Sequence, residues 1–333
     1  MKDCSIIIPS HKRPKLLIRS LSYYLQFDYN LIIICELEND NTKLNKLIEN
    51  NDDKITFIKA FNSSLTSKIL LSRKYIKTKY CLISADDDFY DMKTVNEGIN
   101  FLEKNNKYIS YLGNFVQFKK RKYHTNLYKM YNYGESFNYG LEDFYSKNFK
   151  FVNSIYALHK SKVIQELLNF EKKNIFTKQS TLEFDFYLIP MFFGKIKVVD
   201  KLWMFRDQSR YTNYYYENDL GAKRNNVNSL YKTDNFFLES KIFDNYLINF
   251  AKLLKNLKVN CDHEILIKII KLHFYDKKIN KKQKIKEKIS VILPNQILEI
   301  YYYLKFKYYY SRFSNFYREI MGNRNFKKIN RVI

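Results

Sequence analysis

The chain has 333 residues, of which 46% are hydrophobic, so it is long enough to bury the core of one large domain with or without an appendage. Its 58 basic and 34 acidic residues give a net charge of +24, which favours an anionic partner such as a nucleotide, a nucleic acid or an anionic lipid. No uncharged apolar run approaches the roughly 20 residues that cross a membrane, and the run near the amino terminus is too short for a signal peptide. The four cysteines form no Cys-x-x-Cys pair, which indicates free thiols in a reducing compartment. We therefore expect a cytoplasmic protein.

Strand and helix patterns alternate along the first part of the chain. Continuous apolar runs at 5–8 and 31–35 are typical of strands buried on both faces of a parallel sheet, and a third strand is predicted at 55–58. Between them apolar residues recur at helical spacing, and Pro14 suits the first turn of the first helix. Further strands are predicted at 108–118, 151–158 and 195–199, with a helix at 160–170 and a loop near 128–139. This alternation predicts an α/β fold with a mostly parallel sheet covered by helices.

The most informative stretch is YCLISADDDFY at 80–90, in which a short buried strand ends in Asp86, Asp87 and Asp88. Open α/β sheets bind ligands at the carboxyl ends of their strands, so these carboxylates are candidates for a ligand site. Adjacent like charges raise one another's pKa unless a cation neutralises them, and Mg²⁺ or Mn²⁺ takes oxygen ligands. The alternative is a solvated acidic turn.

The region after about residue 218 shows no convincing strand pattern and predicts several helices, the first at 236–257. It has 20 basic against 6 acidic residues from Ala251 onward. Basic residues interleaved with aromatic ones favour contact with an anionic membrane surface. A helical cap on the preceding domain, with a homodimer interface, is the alternative.

Five segments within roughly the first 210 residues follow one another in an informative order. They are SIIIPSHKR at 5–13, LIIICE at 31–36, the acidic stretch at 80–90, TLEFDFYL at 181–188 and WMFRDQS at 203–209. Together they resemble bacterial family 2 glycosyltransferases of the GT-A fold, of the type that builds capsules or lipooligosaccharides. The sequence departs from the family pattern at His11-Lys12, at Glu36-Leu37 and at Phe184, which separates two acids that are adjacent in the family.

The resemblance implies an organisation as well as an activity. Residues 1–217 would form a Rossmann-like GT-A domain, with a nucleotide-binding half at 1–115 and an acceptor half at 116–217, followed by a helical C-terminal region at 218–333. The implied activity is metal-dependent, inverting transfer of a sugar from a nucleotide-sugar, with UDP-sugars the first expectation. The implied acceptor is a hydroxyl of a bacterial surface glycan or of a lipid-linked glycan.

The resemblance also assigns roles to residues. Asp86 and Asp88 would bind Mn²⁺ or Mg²⁺, which would neutralise the diphosphate leaving group. An Asp87-Asp88 pair is the alternative register for the metal ligands. Either Glu183 or Asp185 would be the general base for the acceptor hydroxyl. The residues expected at the nucleotide are Pro9, Ser10, His11, Arg13, Glu36, Lys68, Asp86, Asp87 and Arg206. Among them, Glu36 would contact the base and Arg206 the diphosphate.

Two other functions are compatible with the composition. A nucleic-acid-binding protein would explain the positive charge and the many aromatic residues, but no binding motif is present and an acidic triplet repels phosphates. A sugar nucleotidyltransferase needs a glycine-rich loop near its amino terminus, whereas the first glycine of this chain is Gly98. We therefore expect no nucleic-acid partner.

Overall fold

The computed structural model describes residues 3–36, 41–120, 125–131, 136–140, 152–173, 179–207 and 241–258. The strands are β1 (Cys4–His11), β2 (Asn30–Glu36), β3 (Ile55–Lys59), β4 (Tyr80–Ile83), β5 (Asp88–Tyr90), β6 (Tyr108–Lys120), β7 (Thr125–Tyr131), β8 (Phe137–Tyr139), β9 (Leu158–Lys160) and β10 (Lys195–Asp207). The helices are α1 (Pro14–Tyr24), α2 (Thr42–Glu49), α3 (Leu65–Ser72), α4 (Met92–Lys104), α5 (Ser161–Lys173), α6 (Gln179–Leu188) and α7 (Lys241–Asn256).

All ten strands belong to one sheet, in the order β3-β2-β1-β4-β9-β6-β10-β5, with β7 paired to β6 and β8 to β10. Strands β1 to β4 are parallel to one another, and so are β6 and β10. Because β9 is antiparallel to both β4 and β6, these two groups of strands run in the same direction. The predicted α/β fold with a mostly parallel sheet is confirmed.

The sheet and α1 to α6 lie in one compact unit, and α7 lies in a second. Helix α7 corresponds to the helix predicted at 236–257. The other helices predicted after residue 218 lie outside the described residues. Of the helices that the structure describes, none is both long and apolar enough to cross a membrane.

Two regions differ from the pattern expected from the sequence. The predicted loop near 128–139 contains part of β7 and all of β8. Strand β9 pairs with β6 only at Ser110 and Tyr111, so the backbone groups of β6 from Phe115 to Lys120 are available to pair with β7. This long-range pairing overrides the loop-like composition of the segment. The strand predicted at 151–158 is instead a 3₁₀ turn at Ser154–Tyr156 followed by β9.

The central strands are buried from both faces, as their continuous apolar runs predicted. Helix α1 begins at Pro14, whose fixed φ suits the first helical position. The Asn41 side chain accepts a 3.0 Å hydrogen bond from the Leu44 N–H at the start of α2. The Ser64 hydroxyl accepts one of 3.1 Å from the Ser67 N–H at the start of α3. Local caps therefore fix where α2 and α3 begin.

Strand β10 reaches the site through an irregularity in its pairing with β6. The register shifts between Val198 and Leu202, and a Cβ at Gly113 would lie only 2.5 Å from the Lys201 carbonyl oxygen. A glycine is therefore needed where the two backbones approach so closely. Beyond this bulge, residues 204–206 pair with β5, which places Arg206 opposite Asp88.

Candidate active site

Polar side chains meet at the carboxyl ends of β1, β2 and β4. Strand β1 ends at His11 and β2 at Glu36, which are register partners, and the acidic triplet follows β4. The chain extends the sheet through β2 and β3 on one side of β1 and then returns through β4 on the other. Such a switch point creates the crevice in which open α/β sheets bind ligands.

The first two acids of the triplet face the turn after β1. Asp86 is fully buried, where its Oδ2 accepts a 2.6 Å hydrogen bond from Ser10 Oγ and its Oδ1 is paired with the Arg13 guanidinium. Arg13 Nη1 also lies 3.3 Å from Asp87 Oδ2. A cation of the protein itself therefore offsets the repulsion between these two carboxylates.

The third acid faces β10 instead. Asp88 is the first residue of β5, and its Oδ2 lies 3.4 Å from Arg206 Nε. Its Oδ1 accepts a 3.1 Å hydrogen bond from the Asp207 N–H. The Arg206 guanidinium also donates a 3.3 Å hydrogen bond to the Tyr156 hydroxyl and lies 4.9 Å from the centre of that ring. The β5–β10 pairing thus joins the acidic triplet to the predicted diphosphate arginine.

A buried arginine on α1, Arg19, joins these groups, although it was not among the residues expected at the site. Arg19 Nη1 lies 2.6 Å from Asp207 Oδ2, and Nη2 donates a 3.3 Å hydrogen bond to the Asp87 carbonyl oxygen. Its guanidinium lies 5.2 Å from the centre of the Phe89 ring. The available signal was a basic residue within the apolar face of α1, between Leu17 and Leu21.

The second group surrounds the Glu36 carboxylate. Its Oε2 lies 2.6 Å from His11 Nδ1 and 3.4 Å from Lys68 Nζ, and its Oε1 accepts a 3.1 Å hydrogen bond from the Asn62 N–H. Burial alone would raise the pKa of Glu36, but the Asn62 amide, His11 and Lys68 together outweigh it, and the pKa lies below its ordinary value. Glu36 is therefore held as a carboxylate.

Lys68 is nearly as buried as Glu36 and also donates a 2.8 Å hydrogen bond to the Ser10 carbonyl oxygen. Its ammonium group therefore links the end of β1 to the end of β2. The Lys68 charge is therefore directed at the Glu36 carboxylate and the Ser10 carbonyl oxygen.

Two backbone segments converge on Glu36 in an unusual conformation. Lys12 and Asn62 both have a φ of 49°, in the left-handed region that residues other than glycine rarely adopt. The Lys12 N–H donates a 3.0 Å hydrogen bond to the Glu36 carbonyl oxygen, and the Asn62 N–H binds its carboxylate. Each such residue costs on the order of 1–3 kcal/mol, a strain that clusters at functional sites.

The two candidate bases lie on α6 but do not share a face. Two positions along a helix differ by about 200°, so Glu183 is exposed whereas Asp185 is fully buried. Burial raises the pKa of Tyr156 to about 12, Arg206 opposes this rise, and the charges of Asp88, Glu183 and Asp87 add to it. The charge of Glu183 therefore acts on the Tyr156 hydroxyl together with the charges of Asp87 and Asp88.

The predicted nucleotide residues all lie at this sheet edge, in two subsets. Ser10, Arg13, Asp86 and Asp87 form one, and His11, Glu36 and Lys68 form the other. Pro9 is buried within β1, opposite Ile34 of β2. The pairing of β1 with β4 ends at Ile7, so the missing N–H of Pro9 costs no hydrogen bond to β4. Arg206 completes the set from β10.

The predicted metal ligands do not form a metal cage. Across the part of the chain that the structure describes, no group of three or more His, Cys, Asp and Glu side chains is arranged to hold a metal ion. Asp86 faces Ser10 and Arg13, whereas Asp88 faces Arg206. Mg²⁺ and Mn²⁺ are usually held by one or two carboxylates together with substrate phosphates. The donor set therefore fits a cation that is held jointly with a diphosphate, and not one held by the protein alone.

No protein-family model and no curated protein matches the chain. Among solved structures, it is similar to residues 1–349 of S. aureus TarS in complex with UDP, with a TM-score of 0.49 and 13% identity, covering 89% of this chain and 76% of that one. TarS 1–349 in complex with UDP-GlcNAc gives a TM-score of 0.47 and 14% identity, covering 76% and 72%. The mannosyltransferase PcManGT from Pyrobaculum calidifontis, in complex with GDP-Man and Mn²⁺, gives 0.30 and 12%, covering 33% and 34%. Similarities of this size do not place the chain in a family.

Proposed function

We propose that the chain is a glycosyltransferase that moves a sugar from a nucleotide-sugar to an acceptor hydroxyl. The main support is the junction of the acidic triplet with Arg206 at the switch point of the sheet, beside the buried Glu36 carboxylate. Such an edge suits a ligand with an uncharged base at one end and a diphosphate at the other. The five family 2-like segments, of the capsule or lipooligosaccharide type, agree with this proposal.

The nucleobase is proposed to lie beside Glu36. Both carboxylate oxygens already have partners within the protein, so Glu36 would act chiefly by fixing His11 and the Asn62 backbone around the base. Phe61 precedes Asn62 in the same loop and is 57% exposed. Stacking of a base on an aromatic ring is worth about 1–3 kcal/mol, and an exposed phenylalanine next to this group suits that role. We propose a UDP-sugar as the donor.

Arg206 is proposed to donate charge-assisted hydrogen bonds to the diphosphate, because its head lies beside the acidic triplet and is partly exposed. A divalent cation, Mn²⁺ or Mg²⁺, would be held by Asp88, with Asp86 the second predicted ligand, and by the diphosphate, whose departure it would assist as a Lewis acid. Ser10 and Arg13 hold Asp86 and Asp87 in place for this arrangement.

Glu183 is proposed as the general base. An acceptor hydroxyl can reach an exposed carboxylate, whereas Asp185 is fully buried in the packing of α6. Removal of the hydroxyl proton by Glu183, with attack on the anomeric carbon from the face opposite the diphosphate, inverts the anomeric configuration. The proposed acceptor is a bacterial surface glycan or a lipid-linked glycan. Contact of the basic C-terminal region with an anionic membrane, or a homodimer, is part of the same proposal.

The test is a thermal-shift and calorimetric screen of UDP, GDP and their sugar conjugates, with and without Mn²⁺. A ligand at 100 times its Kd stabilises the folded state by about 2.7 kcal/mol, so a true donor raises the Tm. Asp88→Asn is the control, because it preserves an acceptor for the Asp207 N–H while removing the charge proposed to hold the cation. The proposal is wrong if no nucleotide stabilises the wild-type protein under either condition.

A further inference from the structure

Arg206 faces the one oxygen of Asp88 that a cation bound with the donor would take. Asp88 Oδ1 is engaged by the Asp207 N–H at 3.1 Å, and Oδ2 lies 3.4 Å from Arg206 Nε. A divalent ion at Oδ2 and the Arg206 side chain cannot occupy the same position. The two positive groups therefore compete for one carboxylate oxygen.

The two partners differ in how firmly they are held. The Asp88 side chain is 3% exposed, lies in the β5–β10 ladder and is fixed by a backbone N–H. The Arg206 side chain is 21% exposed. Besides the ion pair with Asp88, it donates a 3.3 Å hydrogen bond to the uncharged Tyr156 hydroxyl. An exchange of partners therefore moves the arginine head and leaves the carboxylate where it is.

We propose that Arg206 takes the place of the cation at Asp88 in the donor-free protein, and turns to the diphosphate when donor and cation bind. This inference rests on the proposed function. It follows from the cost of leaving a buried carboxylate without a positive partner, which is several kcal/mol. At every stage one positive group faces Asp88: Arg206 before the donor arrives, and the cation afterwards.

The exchange makes cation and donor binding cooperative. A cation alone must displace Arg206 from Asp88 without supplying a new anion for the guanidinium. A diphosphate supplies that anion, so the nucleotide and the cation each favour the binding of the other. Arg13 is held differently from Arg206, because its guanidinium is shared between Asp86 and Asp87. Asp86 is in addition held by the Ser10 hydroxyl.

The experiment measures the binding of Mn²⁺ alone, without nucleotide, from the loss of the free-ion electron paramagnetic resonance signal. In Arg206→Gln we expect Mn²⁺ to bind about tenfold more tightly than in the wild type, since the ion pair with Asp88 no longer competes. Arg13→Gln removes the same charge from the other side of the acidic triplet and is the matched control, in which no comparable gain is expected because Ser10 still holds Asp86. The gain should disappear in the double variant Asp88→Asn/Arg206→Gln. Thermal unfolding of each variant verifies that it is folded.

A measurement on the wild-type protein avoids variants that fail to fold. The ¹⁵N resonance of Arg206 Nε should shift when UDP is added with Mg²⁺ and should stay in place when Mg²⁺ is added alone. The inference is overturned if Arg206→Gln binds Mn²⁺ no more tightly than the wild type, if Arg13→Gln gains as much, or if the resonance does not respond to UDP with Mg²⁺. If the wild type binds UDP-sugars and these results are negative, only the exchange is wrong. If it binds no nucleotide with any ion, the proposed function and the exchange both fall.

Discussion

His159 Nε2 lies 2.8 Å from the Ser154 carbonyl oxygen, in the core behind the candidate active site. A carbonyl only accepts, so Nε2 donates, and Nδ1 of the neutral ring accepts from the Ser110 hydroxyl at 2.6 Å. Ser154 in turn donates from its hydroxyl to the Phe186 carbonyl oxygen of α6 at 2.9 Å. The imidazole thus joins β9 and β6 to the turn on which the candidate base helix rests.

His159 should make the protein sensitive to acid. Burial lowers its pKa to about 4, and the hydrogen bond to Ser154 only partly offsets this. The unfolded chain, with a pKa of about 6.5, therefore binds the proton at a higher pH than the folded protein does. The contribution of His159 to the free energy of unfolding is fully present above pH 6.5 and falls by about 3 kcal/mol as the pH drops towards 4. Denaturant unfolding between pH 4 and 7 should show a flatter pH dependence in His159→Gln than in the wild type. Equal slopes would contradict this role.

Glu183→Gln and Asp185→Asn should separate catalysis from packing. The first should lower kcat by about 10²–10⁴-fold with donor binding and Tm unchanged, because Glu183 is exposed and is proposed to act on the acceptor. The second should lower the Tm, because Asp185 is fully buried and interacts with neighbouring groups in the packing of α6. Single-turnover kinetics with calorimetry of donor binding distinguishes the two. A fully active Glu183→Gln enzyme would exclude Glu183 as the base.

Glu36→Gln should weaken both folding and nucleotide binding. The amide leaves the buried Lys68 ammonium without its carboxylate, at a cost of about 1–3 kcal/mol in the free energy of unfolding. The pKa of Glu36 lies below its ordinary value, so its stabilisation is present at neutral pH and is lost as acid protonates the folded state. Glu103→Gln is the control, since its pair with Lys79 is exposed and screened by solvent, and therefore adds little to the free energy of unfolding. Similar losses in both variants would refute a special role for Glu36.

Phe61→Ala should weaken nucleotide binding by about 1–3 kcal/mol and leave the Tm unchanged, because the ring is exposed and proposed to stack on the base. Leu71→Ala is the matched control: Leu71 is another exposed large apolar residue, located on α3. The measurement is calorimetric titration with UDP and with UDP-sugar. Wild-type affinity in Phe61→Ala would show that the ring plays no part in donor binding.

The sequence predicted the α/β fold with a mostly parallel sheet, which the structure confirms, whereas the location of the site stays a prediction. Strands that are buried on both faces leave continuous apolar runs, and these identified β1 and β2. The acidic triplet follows the short apolar strand β4 and indicated where we propose the ligand to bind, since the carboxyl ends of parallel strands meet at that end of the sheet. Glu36 and His11 were found for the same reason, because each ends its strand.

Only the tertiary structure decided which charges face one another. Arg19 and Asp207 are far apart in the chain and belong to no motif, yet their side chains meet 2.6 Å apart beside the triplet. The same holds for Asp88 and Arg206, whose separation from Asp86 and Arg13 depends on the antiparallel pairing of β5 with β10. The exposure of Glu183 and the burial of Asp185 likewise depend on how α6 packs. Local sequence determines the period of apolar residues, but the partner of a charge is chosen by long-range strand register and burial, which no short segment encodes.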